Sequence, residues 1–152
     1  MRTLNKQPKK PFFIVSAYLD HRFAESNIER TLELERELRA MKLPFKVLVG
    51  SWKGKKEFSY LVTTDTVKEA HSFGRALADA YEQEAFIIVD ENRNGRCISN
   101  YNEVELGKLV LTDKKLIGDN WSRCPMTDKY YTFNNEDNLE EVSTLLPYFG
   151  GR

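Results

Sequence analysis

The chain has 152 residues, of which 41% are hydrophobic and 30% charged. That composition describes one globular domain and excludes a disordered or fibrous chain. The 23 basic and 23 acidic residues cancel, so the basic excess by which general nucleic-acid binders displace phosphate counterions is missing.

Residues 1–10 are polar and basic (Arg2, Lys6, Lys9, Lys10) and read as a flexible N-terminus. The apolar run from Phe12 to Leu19 is too short, and too soon broken by Ser16, for a secretory leader. No stretch approaches the roughly 20 apolar residues of a membrane span. Cys97 and Cys124 form no paired motif and read as free thiols of a reducing compartment. The expected location is cytoplasmic, in the host cytoplasm if the chain is phage-encoded.

PFFIVSAY (11–18) is nearly continuous in apolar β-formers, the pattern of a central strand buried on both faces. Ser26 and Glu29 form a capping-box pattern that predicts a helix over 27–42. Ile28, Leu32, Leu34, Leu38 and Met41 supply its apolar stripe. The residue before Pro44 ends it. FKVLV (45–49) and EFSYLV (57–62) alternate as strands, and the GSWKGKK segment between them makes a hairpin. Thr66 and Glu69 open a second helix, with Val67, Ala70, Gly74, Leu77, Ala78 and Tyr81 inward and an end near Glu82.

AFIIVD (85–90) is another buried strand. Asn94-Gly95 signals a turn, and RCIS returns. VELGKLVL (104–111) reads as an edge strand, open to pairing across a two-fold axis, which leaves room for a homodimer without the sequence deciding the oligomeric state. Residues 112–152 read as a loop-rich extension: loop over 112–135, then a short amphipathic helix over 138–146. The expected fold is α+β, in the order β-α-β-β-α-β-β-β. It has a mixed, mostly antiparallel sheet, two helices on one face and a C-terminal helix.

No catalytic constellation, metal-ligand spacing, Walker loop or dinucleotide fingerprint appears. No catalytic residue, metal or cofactor is therefore assigned. Asn27 and Thr31 project into the first helix's apolar stripe with Arg30 at its margin, and buried polar groups need partners. Tyr18 at the end of the first strand, and Glu57 and Ser59 on one face of the third, lie within reach. Tyr18, Asn27, Arg30, Glu57 and Ser59 thus form either an internal network with an Arg30–Glu57 ion pair or a pocket whose Arg30 faces an anion. On loops, Trp52, Lys53, Lys55, Trp121, Tyr130 and Tyr131 are candidate partner contacts.

FIVSAY, Asn27-x-x-Arg30-Thr31 with Leu34 and Leu38, Val49-Gly50, Glu57-x-Ser59 and Gln83-x-Ala85-Phe86 together resemble a small uncharacterised domain family of bacteria and phages. The resemblance covers residues 12–98. It implies a compact α+β domain with a shared polar constellation and no assigned reaction. Asp20-His21-Arg22 departs from the Asn-Pro type of turn expected there, and the C-terminal extension is added.

Three expectations follow. The first is a non-catalytic, phage-type accessory protein that binds and inhibits a host or defence protein. The second is a binder or sequesterer of a nucleotide-like anion. The third is a nucleotide- or nucleic-acid-processing enzyme with Glu57 as base.

Overall fold

The computed structural model describes residues 9–19, 23–52, 55–112, 121–124 and 129–134. Ten elements follow in order: β1 (Phe12–Ser16), α1 (Ala24–Met41), β2 (Phe45–Trp52), β3 (Lys55–Thr63), α2 (Val67–Ala80), β4 (Ala85–Val89), β5 (Asn94–Ser99), β6 (Glu103–Thr112), β7 (Trp121–Cys124) and β8 (Lys129–Asn134). The α+β class and the expected order of the first eight elements hold. Every strand pair is antiparallel, and the strands close into a barrel in the order β1-β3-β2-β7-β8-β6-β5-β4. Within it, β4-β1-β3-β2 with its two helices is the split β-α-β arrangement.

Two apolar layers follow from strand alternation. Phe13, Val15, Tyr60, Val62, Phe86 and Ile88 face outward, onto Leu34 and Leu38 of α1 and Ala70, Leu77 and Ala78 of α2. Phe12, Ile14, Leu48, Leu61, Ile87, Val89, Cys97, Leu106 and Phe133 fill the barrel. All of β1 is buried because both its faces are covered, as its unbroken apolar run predicts.

The capping box of α2 forms as expected. Thr66 accepts from the Glu69 amide at 3.1 Å, and Glu69 accepts from the Thr66 amide at 3.2 Å. That of α1 does not. The helix starts at Ala24, with Phe23 as a cap that makes no side-chain bond, so Ser26 lies within the first turn. The buried stripe of α1 is also shifted. Ile28 and Leu32 are about half exposed, and Asn27, Thr31, Leu34 and Leu38 are buried. Two polar residues hold inward positions because each is hydrogen-bonded there: Asn27 to Leu19, and Thr31 Oγ1 to the Asn27 carbonyl at 2.7 Å.

Three further expectations are corrected. Trp52 and Lys55 are a cross-strand pair that lengthens the hairpin, not loop residues. Asn94 and Gly95 begin β5. The turn before them is made by Asp90–Arg93, with Arg93 at φ 68°, while Gly95 admits the Phe133 ring. Residues 121–124 and 129–134, expected as loop, are the strands that close the barrel. Consequently β6 lies between β5 and β8 and offers no free edge for pairing with a second copy. The expected helix over 138–146, residues 1–8 and Lys53 lie outside the described residues.

Candidate active site

One end of the barrel interior is apolar and filled. Phe12, Val89 and Phe133 pack there, and the Arg93 guanidinium lies 5.6 Å from the centre of the Phe12 ring. At the other end the inward positions turn polar. Two residues on from Ile14 comes Ser16. Two and four residues before Leu61 come Ser59 and Glu57. Ser16 and Ser59 are direct cross-strand partners, and both are buried. Ser16 Oγ donates to the Phe58 carbonyl at 2.9 Å and accepts from the Tyr18 amide at 3.1 Å.

Tyr18 lies two residues beyond Ser16, where the chain has left the sheet. Its ring meets Phe58 edge-on, with centroids 6.2 Å apart. Burial, and then the charge of Glu57, push its phenol above the ordinary tyrosine value. A row of register partners continues round the barrel from Glu57, through Gly50 and Ser122 to Tyr131.

The segment that carries Tyr18 leaves the sheet after Ser16, yet Ala17 and Leu19 are buried. Its backbone groups must therefore find partners outside the ladder. Side chains from three places supply them. Arg30 Nε donates to the Ala17 carbonyl at 2.7 Å. Gln83 Nε2 donates to the Tyr18 carbonyl at 2.9 Å. Asn27 accepts from the Leu19 amide at 2.8 Å and donates to the Leu19 carbonyl at 3.0 Å.

The five residues grouped by the sequence thus divide. Glu57 and Ser59 share the inward face of β3 at the barrel end, and the charge of Glu57 acts on Tyr18. Asn27 and Arg30 bond to the backbone of the segment behind Tyr18. Arg30 also donates to the Tyr81 carbonyl and pairs with Glu82 at 3.3 Å, in place of the expected Glu57. Trp121, Tyr130 and Tyr131, expected on a loop, take register positions in β7 and β8. Gln83 belongs to the Gln83-x-Ala85-Phe86 motif but carried no role in the sequence. Its only signal there was a polar residue just ahead of a buried strand.

Two other tyrosines bond to acids of α1: Tyr60 to Glu35 at 3.0 Å and Tyr81 to Glu37 at 2.9 Å. Burial and these carboxylates hold both phenols well above the ordinary range. Burial pushes the free thiol of Cys97 up to about 12. Among the described residues, no group of three or more His, Cys, Asp and Glu could hold a metal. Among them, too, no helix is long and apolar enough to cross a membrane.

The family model of S-adenosylmethionine lyases matches residues 13–136, from β1 through β8. The chain belongs to the S-adenosylmethionine lyase family. No curated protein matches the sequence. The match points to an enzyme and overturns the expected non-catalytic binding protein, with its phage-type inhibitor role. It equally overturns the two alternatives, a nucleotide-like anion binder and a nucleotide- or nucleic-acid-processing enzyme. The matched family is a small domain family with a named reaction, and the match runs on to residue 136. Intramolecular cleavage of a substrate that carries its own leaving group leaves no metal-ligand, triad or phosphate-loop pattern in a sequence.

Proposed function

We propose that this protein cleaves a carbon–sulfur bond of S-adenosylmethionine without water or a second substrate. Family membership supports the substrate and the reaction class. The observation that supports the site is the polar inward end of the barrel, where Glu57 and Ser59 share one face of β3, Ser59 pairs in register with the buried Ser16, and Tyr18 follows two residues beyond.

The substrate itself holds a leaving group and a nucleophile. One oxygen of its carboxylate bonds to Cγ of the methionyl chain, and the Cγ–S bond breaks. Sulfur keeps the electron pair and leaves as a neutral thioether, 5′-methylthioadenosine. The remaining fragment is a five-membered amino-lactone. The positive sulfonium and negative carboxylate cancel, and no proton has to move.

Such a reaction asks the protein for conformation rather than acid–base chemistry. A tightly held, folded substrate gains the large effective molarity of a well-oriented intramolecular attack. Partly apolar surroundings favour a transition state in which charge disappears. In this reading Glu57 pairs with the substrate's ammonium, whose charge is unchanged by the reaction. Tyr18 offers an aromatic face to the sulfonium region. Ser59 lines the polar end of the barrel. Asn27 and Arg30 act from behind Tyr18.

Chromatography of a mixture of the protein with S-adenosylmethionine tests the proposal. Steady release of 5′-methylthioadenosine, slowed about a hundredfold or more in Glu57→Gln, is the expected result. Turnover that persists unchanged in Glu57→Gln would remove this site from the reaction.

A further inference from the structure

We infer that Gln83 is a positioning residue of the lyase, which sets Tyr18 at its working place by holding the backbone behind it. This rests on the assignment of Tyr18 and Glu57 to the active site.

Gln83 is 3% exposed and follows α2 by three residues. Its own amide is tied to the Ala78 carbonyl at 2.8 Å, so its backbone is fixed to the end of that helix. Its side-chain amide bridges two carbonyls, those of Tyr18 at 2.9 Å and Tyr81 at 3.1 Å. One side chain therefore links the end of α2 to the segment that carries Tyr18. Its Oε1 is buried and makes no hydrogen bond. Loss of the one Nε2 donor would take a partner from both carbonyls at once, the costly way to break a buried hydrogen bond.

The neighbouring bonds have the same purpose. The Tyr18 amide is held by Ser16, the Ala17 carbonyl by Arg30, and both Leu19 groups by Asn27. Gln83 is the side chain that holds Tyr18's own carbonyl, so its loss frees the residue next to the substrate first. A displacement on the order of 1 Å in such a site costs up to about a hundredfold in rate.

A double-mutant cycle on the full chain tests the inference, with Gln83→Met, Tyr18→Ala and the double variant. Tyr18→Ala removes the ring that Gln83 places, and Gln83→Met keeps the length and loses the donor. The expected result is about a tenfold fall in kcat with KM within about twofold, and a fall below about twofold when the same change is made in Tyr18→Ala. An equal fall in both backgrounds would overturn the inference, because the loss would not pass through Tyr18. Gln83→Glu, which also lacks the Nε2 donor, takes the same place if Gln83→Met does not fold.

Absence of turnover in the wild type would reject the lyase reading alone. The positioning role is then read by NMR titration of labelled tyrosine rings, with Tyr18→Phe assigning the signal. Gln83→Met is expected to bring the Tyr18 titration down toward the ordinary tyrosine value, as the ring gains water and moves from Glu57. An unmoved titration would overturn the role.

Discussion

Asn27 closes a two-bond ring with the backbone of Leu19, accepting from its amide and donating to its carbonyl. Both residues are buried, so water cannot replace either bond. Asn27→Ala is expected to lower unfolding stability by about 2–3 kcal/mol, since two buried groups are orphaned. Urea denaturation checks this: the midpoint should fall with the slope unchanged. Asn27→Asp keeps the acceptor and loses the donor, and should also be destabilised.

Gly74 lies in the middle of α2, where alanine would ordinarily gain about 1 kcal/mol of helix propensity. Here a Cβ would stand 2.6 Å from Phe86 Cδ2, and closer still to Cε2, on a ring that is itself buried. Gly74→Ala is therefore expected to destabilise by about 1–3 kcal/mol through overpacking. Thermal unfolding beside Ser72→Ala, a change at an exposed position of the same helix, separates the two effects.

Much of the fold was legible for the same reason that Gly74 was. The outward and inward layers alternate at period two through β1, β3 and β4, and a mid-helix glycine marks a close approach. The closure of the barrel was not legible. Trp121 to Cys124 and Lys129 to Asn134 are short strands with no clean alternation, and their identity comes from pairing with β2 and β6, which are distant in sequence. The start of α1 was misread because Ser26-x-x-Glu29 satisfies a local rule while tertiary bonds from Asn27 and Arg30 set the helix's position. The polar cluster was legible because buried polar groups need partners. Its division into barrel-end and backbone-holding residues depends on side-chain direction, which spacing does not encode.

Alkaline pH should weaken the fold in stages. Cys97, Tyr60 and Tyr81 all have folded values above their unfolded ones. The unfolded chain then loses protons first as pH rises, so their stabilisation is complete below about pH 8 and is lost progressively above it, the cysteine's first. Cys97→Ala should remove about 1 kcal/mol of the stability lost between pH 8 and pH 10. Tyr60→Phe should flatten the curve above pH 10. Denaturant midpoints across this range are the measurement, and a wild-type curve flat to pH 11 would disagree.

Glu57→Gln preserves shape and removes charge. Loss of a placed electrostatic group costs about a hundredfold or more in rate in comparable sites. A loss of that order in kcat/KM is expected here, with the thermal midpoint within a few degrees of wild type. Tyr18→Phe keeps the ring and should retain more activity than Glu57→Gln. Steady-state kinetics with calorimetry on the same samples decides it.

The most direct test of the central claim is to run the reaction in water enriched in oxygen-18 and analyse the methionine-derived product by mass spectrometry at early times. Intramolecular cleavage predicts an amino-lactone free of label, with 5′-methylthioadenosine in equal amount. A product that carries the label in the oxygen bonded to Cγ would show that water attacks the substrate, and would contradict the account.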